Sequence, residues 1–127
     1  MKREITRYAL LNSMEILNKF SFVKGDLGLA VARTKASMEE QFLIFQDERN
    51  AITEKYGVQD ENGEYQVDEN SENYKEYMKE TFECVDKFVE VEIFTVPRAV
   101  FYNEDIFNPD CSAVDYEIFA KLMIDRE

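Results

Sequence analysis

The chain has 127 residues, 45% hydrophobic and 33% charged, with a formal charge of −12 and no histidine. That size fits one domain spanning residues 1–127, and the composition is that of a folded protein rather than a disordered tail. Without histidine, Ser-His and Cys-His nucleophile pairs and every histidine-containing metal site are excluded, so the sequence offers no catalytic residue, no cofactor and no metal ligand.

The elements follow in chain order. Residues 2–5, KREI, fit a short edge strand, and Thr6 stands as the N-cap of a first helix with Leu10, Met14 and Leu17 on one stripe and Leu11 beside it. A helix this short is stable only if its stripe is buried. SFVKGD then supplies a turn at Gly25 and an N-cap at Asp26, which predicts an antiparallel neighbour. That neighbour is a helix from Leu27 to Tyr56, a rod of roughly 45 Å. Leu27, Val31, Met38, Phe42, Phe45, Ile52 and Tyr56 line one face of it. Leu43 and Ile44 widen the apolar surface, which predicts contact with two elements. Arg49, within reach of Phe45 and Thr53, is expected to shield apolar surface with its stem and to pair its head with an acid of another element.

Gly57 stops the long helix. Asn62-Gly63 predicts a two-residue type I′ turn in a short acidic hairpin between Val58-Gln59 and Tyr65-Val67. In a third helix Tyr74, Met78, Thr81 or Phe82, Val85 and Phe88 repeat at helical spacing, and Glu72, Glu76 and Glu80 form an i, i+4 ladder. The period then changes to two, predicting a strand over 89–95 that Pro97 ends. Residues 98–111 read as irregular. There Phe101, Tyr102, Ile106 and Phe107 either anchor the loop on the core or form a partner-binding apolar patch. Asn108-Pro109-Asp110 is a turn signal, and Ser112 with Asp115 caps a last helix carrying Tyr116, Phe119, Leu122 and Met123. The fold class is mainly α with a small β component: an antiparallel helical core around one long helix, a short acidic hairpin and one or two further short strands.

Charge is unevenly spread. Residues 1–58 carry nine basic against eight acidic side chains, residues 59–92 three against twelve, and residues 93–127 three against seven. The acidic middle, with Asp60, Glu61, Glu64, Glu72, Glu76 and Glu80 as its candidate surface, disfavours nucleic acid and anionic lipid as direct partners. No apolar run is long enough for a membrane span, and MKREITRY is not a secretory signal. Cys84 and Cys111 suit a reducing cytoplasm, Cys84 as a small buried group. The carboxylates match neither a di-metal helix motif nor the full calcium-loop register.

The order of these features, with MEEQFLIFQDERNAITEKYG, QDENGEYQVDEN, EVEIF and SAVDYEIFAKLM, resembles a family of small bacteriophage and prophage proteins known as domain of unknown function 1617. The resemblance spans nearly the whole chain and is most specific at DERNAITEKYGVQDENGEYQVDE, residues 47–69. It implies a phage origin and the cytoplasm of a bacterial host, and it brings no activity onto these positions. Two readings follow. In the first, the chain is a nonenzymatic interaction protein, either an assembly adaptor or a modulator of a host protein, whose partner is an unidentified phage or host protein. The alternative is an acidic, nucleic-acid-mimicking decoy that occupies a basic groove of a host or defence protein. A homodimer through the nearly neutral N-terminal half, burying Leu29, Leu43 and Ile44, is a further expectation.

Overall fold

The computed structural model describes residues 1–126. Its longest element is the 32-residue helix α2 (Gly25–Tyr56), about 48 Å at 1.5 Å per residue. It starts two residues earlier than the sequence predicts. Gly25 takes φ 67°, where a Cβ would be strained, and the chain bends there. The Gly28 N–H then bonds the Lys24 carbonyl at 3.0 Å. Asp26 therefore lies inside the first turn, favourably placed against the helix dipole, and the N-cap is Lys24.

Leu27, Ala30, Val31, Thr34, Met38 and Phe45 form the buried face of α2. Phe42, Ile52 and Tyr56 are only half-buried, and Leu43 and Ile44 are exposed. The second contact expected for Leu43 and Ile44 is not made within the chain, because α3 (Tyr74–Val85), 12 residues long, covers one side of this half of the rod. On the other flank, α1 (Arg7–Lys19) is capped as predicted: Thr6 Oγ1 accepts from the Ala9 N–H at 3.1 Å. It buries Leu10, Ile16 and Leu17.

The N-terminal strand β1 (Lys2–Thr6) exists and pairs antiparallel with β4 (Phe88–Glu92), with Lys2 opposite Glu92 and Thr6 opposite Phe88. Val91 is buried, and Ile5 and Val89 pack on the core. β4 is shorter than the predicted 89–95, since beyond Glu92 the chain stays extended but changes partners. Ile93 donates to the Met1 carbonyl, and Val96 forms a parallel bridge to Ile124. The other edge of β4 and of the extended residues that follow it is closed by α2 side chains. The Glu92 N–H donates to Ser37 Oγ at 2.8 Å and the Phe94 N–H to Thr34 Oγ1 at 2.9 Å. Two hydroxyls one helical turn apart thus satisfy successive outward N–H groups of an edge that would otherwise be open to another strand.

Two further expectations are corrected on this side of the molecule. Phe88 is exposed rather than part of the α3 stripe, and of the alternatives Thr81 and Phe82 it is Thr81 that is half-buried while Phe82 faces out. The helix ends at Val85, so Phe88 falls on β4, where alternation turns it outward with Glu90 while Val89 and Val91 turn in. The hairpin of β2 (Val58–Gln59) and β3 (Tyr65–Gln66) is present with Val58 opposite Gln66, but its turn is not type I′. That turn requires positive φ at both central residues, and only Gly63 has it, at 82°. Asp60 and Glu64 instead close a three-residue loop. The Asp60 carboxylate accepts from the N–H groups of Asn62 at 2.8 Å and Glu64 at 3.0 Å, and this side-chain bonding favours the looser turn.

After Pro97 the chain forms a six-residue helix, α4 (Arg98–Asn103), where the sequence reads as irregular. The last helix, α5 (Ala113–Met123), carries the predicted capping box. Ser112 Oγ accepts from the Asp115 N–H, and Asp115 accepts from the Ser112 N–H at 3.0 Å. Phe20, at the end of α1, stacks on Phe119 of α5 with centroids 4.0 Å apart, and Phe101 of α4 lies 5.4 Å from Phe119. These three fully buried rings join α1, α4 and α5 at the base of the core.

Candidate functional site

Short helices cannot cover each other completely, and between α4 and α5 a groove of about 700 Å³ stays open. Its apolar lining comes from Phe101, Tyr102 and Ile106 on one side and Tyr116, Ala120 and Ile124 on the other. A second depression of about 650 Å³, reaching Phe107, Pro109 and Cys111, shares Ile106 and Tyr116 with it. The four candidate partner-binding residues therefore divide. Phe101 is buried against Phe119 and sets Tyr102 edge-on at 5.1 Å, and Ile106 is half-buried. Tyr102 at 61% exposure and Phe107 at 71% face outward. Anchoring and exposure were alternatives for the set; the structure assigns one to each half of it.

The groove wall is held by polar bonds of its own. The Tyr116 hydroxyl donates to the Asn108 carbonyl and accepts from the Asn108 N–H, both at 2.9 Å. Asn108 Nδ2 reaches the Lys19 carbonyl at 2.9 Å, and its Oδ1 accepts from the Asp110 N–H. The Asp115 carboxyl is held below its ordinary pKa by the Ser112 N–H and by Lys19 Nζ at 3.2 Å. Burial pushes the Cys111 thiol up, so it remains protonated at neutral pH. The groove therefore sets apolar side chains over a buried aromatic ring, with Tyr102 exposed at its rim, a shape that can receive an apolar side chain.

The acidic candidates are less concentrated than their spacing suggests. Asp60 is turned into its own loop, and Glu61 and Glu64 are exposed on the hairpin. Glu72 lies in the turn before α3, so the predicted three-rung ladder reduces to Glu76 and Glu80. Glu80 accepts from Lys55 Nζ at 2.8 Å, which lowers its pKa. Among the described residues no group of three or more Cys, Asp or Glu side chains is placed to share a metal ion, and no helix is long and apolar enough to cross a membrane.

One cluster escapes the sequence reading. Arg7, only 4% exposed, donates through Nη1 to Glu48 Oε2 and also to the carbonyl and Sγ of Cys84, each at 3.3 Å. Lys87 Nζ is 3.3 Å from the same Glu48 oxygen. The hydrogen bond from Arg7 is the main cause of a Glu48 pKa of about 2, and it raises that of Arg7 in turn. The guanidinium carbons of Arg7 and Arg49 lie 5.7 and 5.8 Å from the Phe45 ring centroid; the Arg49 head thus lies over that ring, and among the described residues it makes none of the expected ion pairs with an acid of another element. A sequence signal existed: a cation at the first position of α1 opposes the helix dipole and calls for an acid from elsewhere. The cluster ties α1, α2 and α3 together beside a cleft of about 400 Å³. Its charges pair with one another, although Arg7 Nε is left without a partner, and the pairing holds the three helices together.

No family model, curated protein or solved structure matches this chain.

Proposed function

We propose that this is a nonenzymatic interaction protein, encoded by a phage and acting in the cytoplasm of the bacterial host, either as an assembly adaptor or as a modulator of a host protein. The observation that carries this reading is the pair of adjoining depressions at α4 and α5, where Tyr102 lines the groove over the buried Phe101 and Phe107 lines its neighbour, both rings exposed. Aromatic side chains presented in this way are the usual anchors of protein–protein contacts. The phage setting rests on the resemblance of residues 47–69. The decoy reading has less support, because its six acidic residues are divided between a hairpin loop, a turn and one helix, with Glu80 already paired.

The test compares the wild type with the Tyr102→Ser/Phe107→Ser double variant in capture from host lysate during infection. Both positions are exposed, so the variant should keep the wild-type melting temperature. The expected result is a partner that wild type retains at high salt and the variant loses. Identical captures would overturn the assignment to this groove, and a partner released from both by salt would favour the decoy.

Self-association is a separate part of the proposal. Leu29, Leu43 and Ile44 remain exposed along α2, in the nearly neutral half of the chain, and offer a surface to a second copy. Sedimentation equilibrium over a wide concentration range should show a dimer, and a single 15.0 kDa species throughout would reject it.

A further inference from the structure

The lining of the α4–α5 groove is richer in cations than the rest of the chain, while the adjoining depression carries Glu104 and Asp105. In a protein of net −12, the groove lining holds three cations, Arg98, Lys121 and Arg126, against two acids, Glu117 and Asp125. Asp125 is engaged by the Thr95 hydroxyl, and Glu117 stands one helical turn before Lys121 on α5. Among the described residues, Arg98 and Lys121 have no ion-pair partner. Exposed cations without an acidic partner, set on the rim of a groove with an apolar lining, are complementary to a partner that brings both an apolar side chain and carboxylates.

Resting on the interaction reading above, we propose that the groove receives a short acidic amphipathic segment of a partner protein. A large apolar side chain of that segment lies over Phe101 and Ile106 between Tyr102 and Tyr116, and its carboxylates meet Arg98 and Lys121. The aromatic floor supplies affinity, and the cationic rim supplies orientation and discrimination against basic or neutral sequences.

The experiment selects random short peptides, displayed on ribosomes, against the full-length protein and against the Arg98→Glu/Lys121→Glu variant. Both positions are exposed, and unchanged melting would show that the variant folds. Wild type should enrich peptides that combine net negative charge with an aromatic or large aliphatic residue. An enriched peptide should bind the charge-reversed variant about tenfold more weakly or worse. Enrichment of neutral or basic apolar peptides, with no loss on charge reversal but loss in the Tyr102→Ser/Phe107→Ser variant, would overturn the acidic partner and leave the groove as a docking site. No enrichment that depends on either pair of residues would overturn both. Concentration-dependent self-association abolished by Arg98→Glu/Lys121→Glu would give the groove to a second copy, whose residues 59–92 are themselves acidic, and would equally overturn a foreign partner.

Discussion

Replacing Glu48 by glutamine should cost about 2 to 4 kcal/mol at neutral pH, and the loss should shrink as the solution is acidified. Arg7 is almost fully enclosed, and with glutamine at position 48 its guanidinium has only neutral acceptors left, the amide oxygen and the carbonyl and Sγ of Cys84, with Nε already unpaired. Removing one member of a buried ion pair costs about 3 to 5 kcal/mol. Glu48 is itself 38% exposed, so water softens the loss and the lower range applies. The pH dependence follows from the direction of the shift. The Glu48 carboxyl falls from an ordinary 4.5 to about 2 in the folded protein, so between those values the unfolded chain binds the extra proton. The stabilisation is complete above about 4.5 and is lost as the pH falls toward 2. Urea denaturation of both proteins at neutral pH and near the lower limit should show a wide gap in midpoint that narrows with acid. An equal gap at both pH values would assign the effect to packing rather than charge.

The ease with which parts of this fold are read from sequence tracks the range of the forces that make them. Thr6 and the Ser112–Asp115 box cap their helices through bonds to residues three positions away, so the local sequence carries the whole signal. The same holds for Leu27, Val31, Met38 and Phe45, whose spacing already defines a face. Arg7, Glu48 and Cys84 meet across separations of 41 and 77 positions, and no periodicity connects them. Thr34 looks like a polar interruption of the α2 stripe, yet it is fully buried because its hydroxyl serves the edge of β4, 60 positions away. α4 is hidden for a different reason. Six residues including valine and two aromatics have little intrinsic helical preference, and burial of Phe101 on Phe119 settles their conformation. At the groove, the sequence names the four apolar residues but not their division, nor the cations beside them. Arg98, Lys121 and Arg126 are spread over 28 positions of an acidic segment and meet only when α4 and α5 pack.

Phe119→Ala should be among the most damaging single substitutions, costing about 3 to 5 kcal/mol. The ring has no solvent exposure, lies 4.0 Å from Phe20 at an interplanar angle of 6°, and is 5.4 Å from Phe101. Its truncation removes transfer energy and leaves a void among three elements. Neighbouring rings can close that void only by moving, and the ring nearest the surface is Phe101, which carries the groove floor. Phe119→Leu keeps more of the volume and should lose less than half as much. Chemical denaturation of the two variants beside Tyr102→Ser, whose exposed ring should change stability by no more than about 0.5 kcal/mol, separates core from rim. A loss below about 1 kcal/mol for Phe119→Ala would place that ring outside the core. Peptide binding by Phe119→Leu then tests how far the groove depends on its support: if the floor is positioned from below by Phe119, affinity should fall although every residue lining the groove is unchanged.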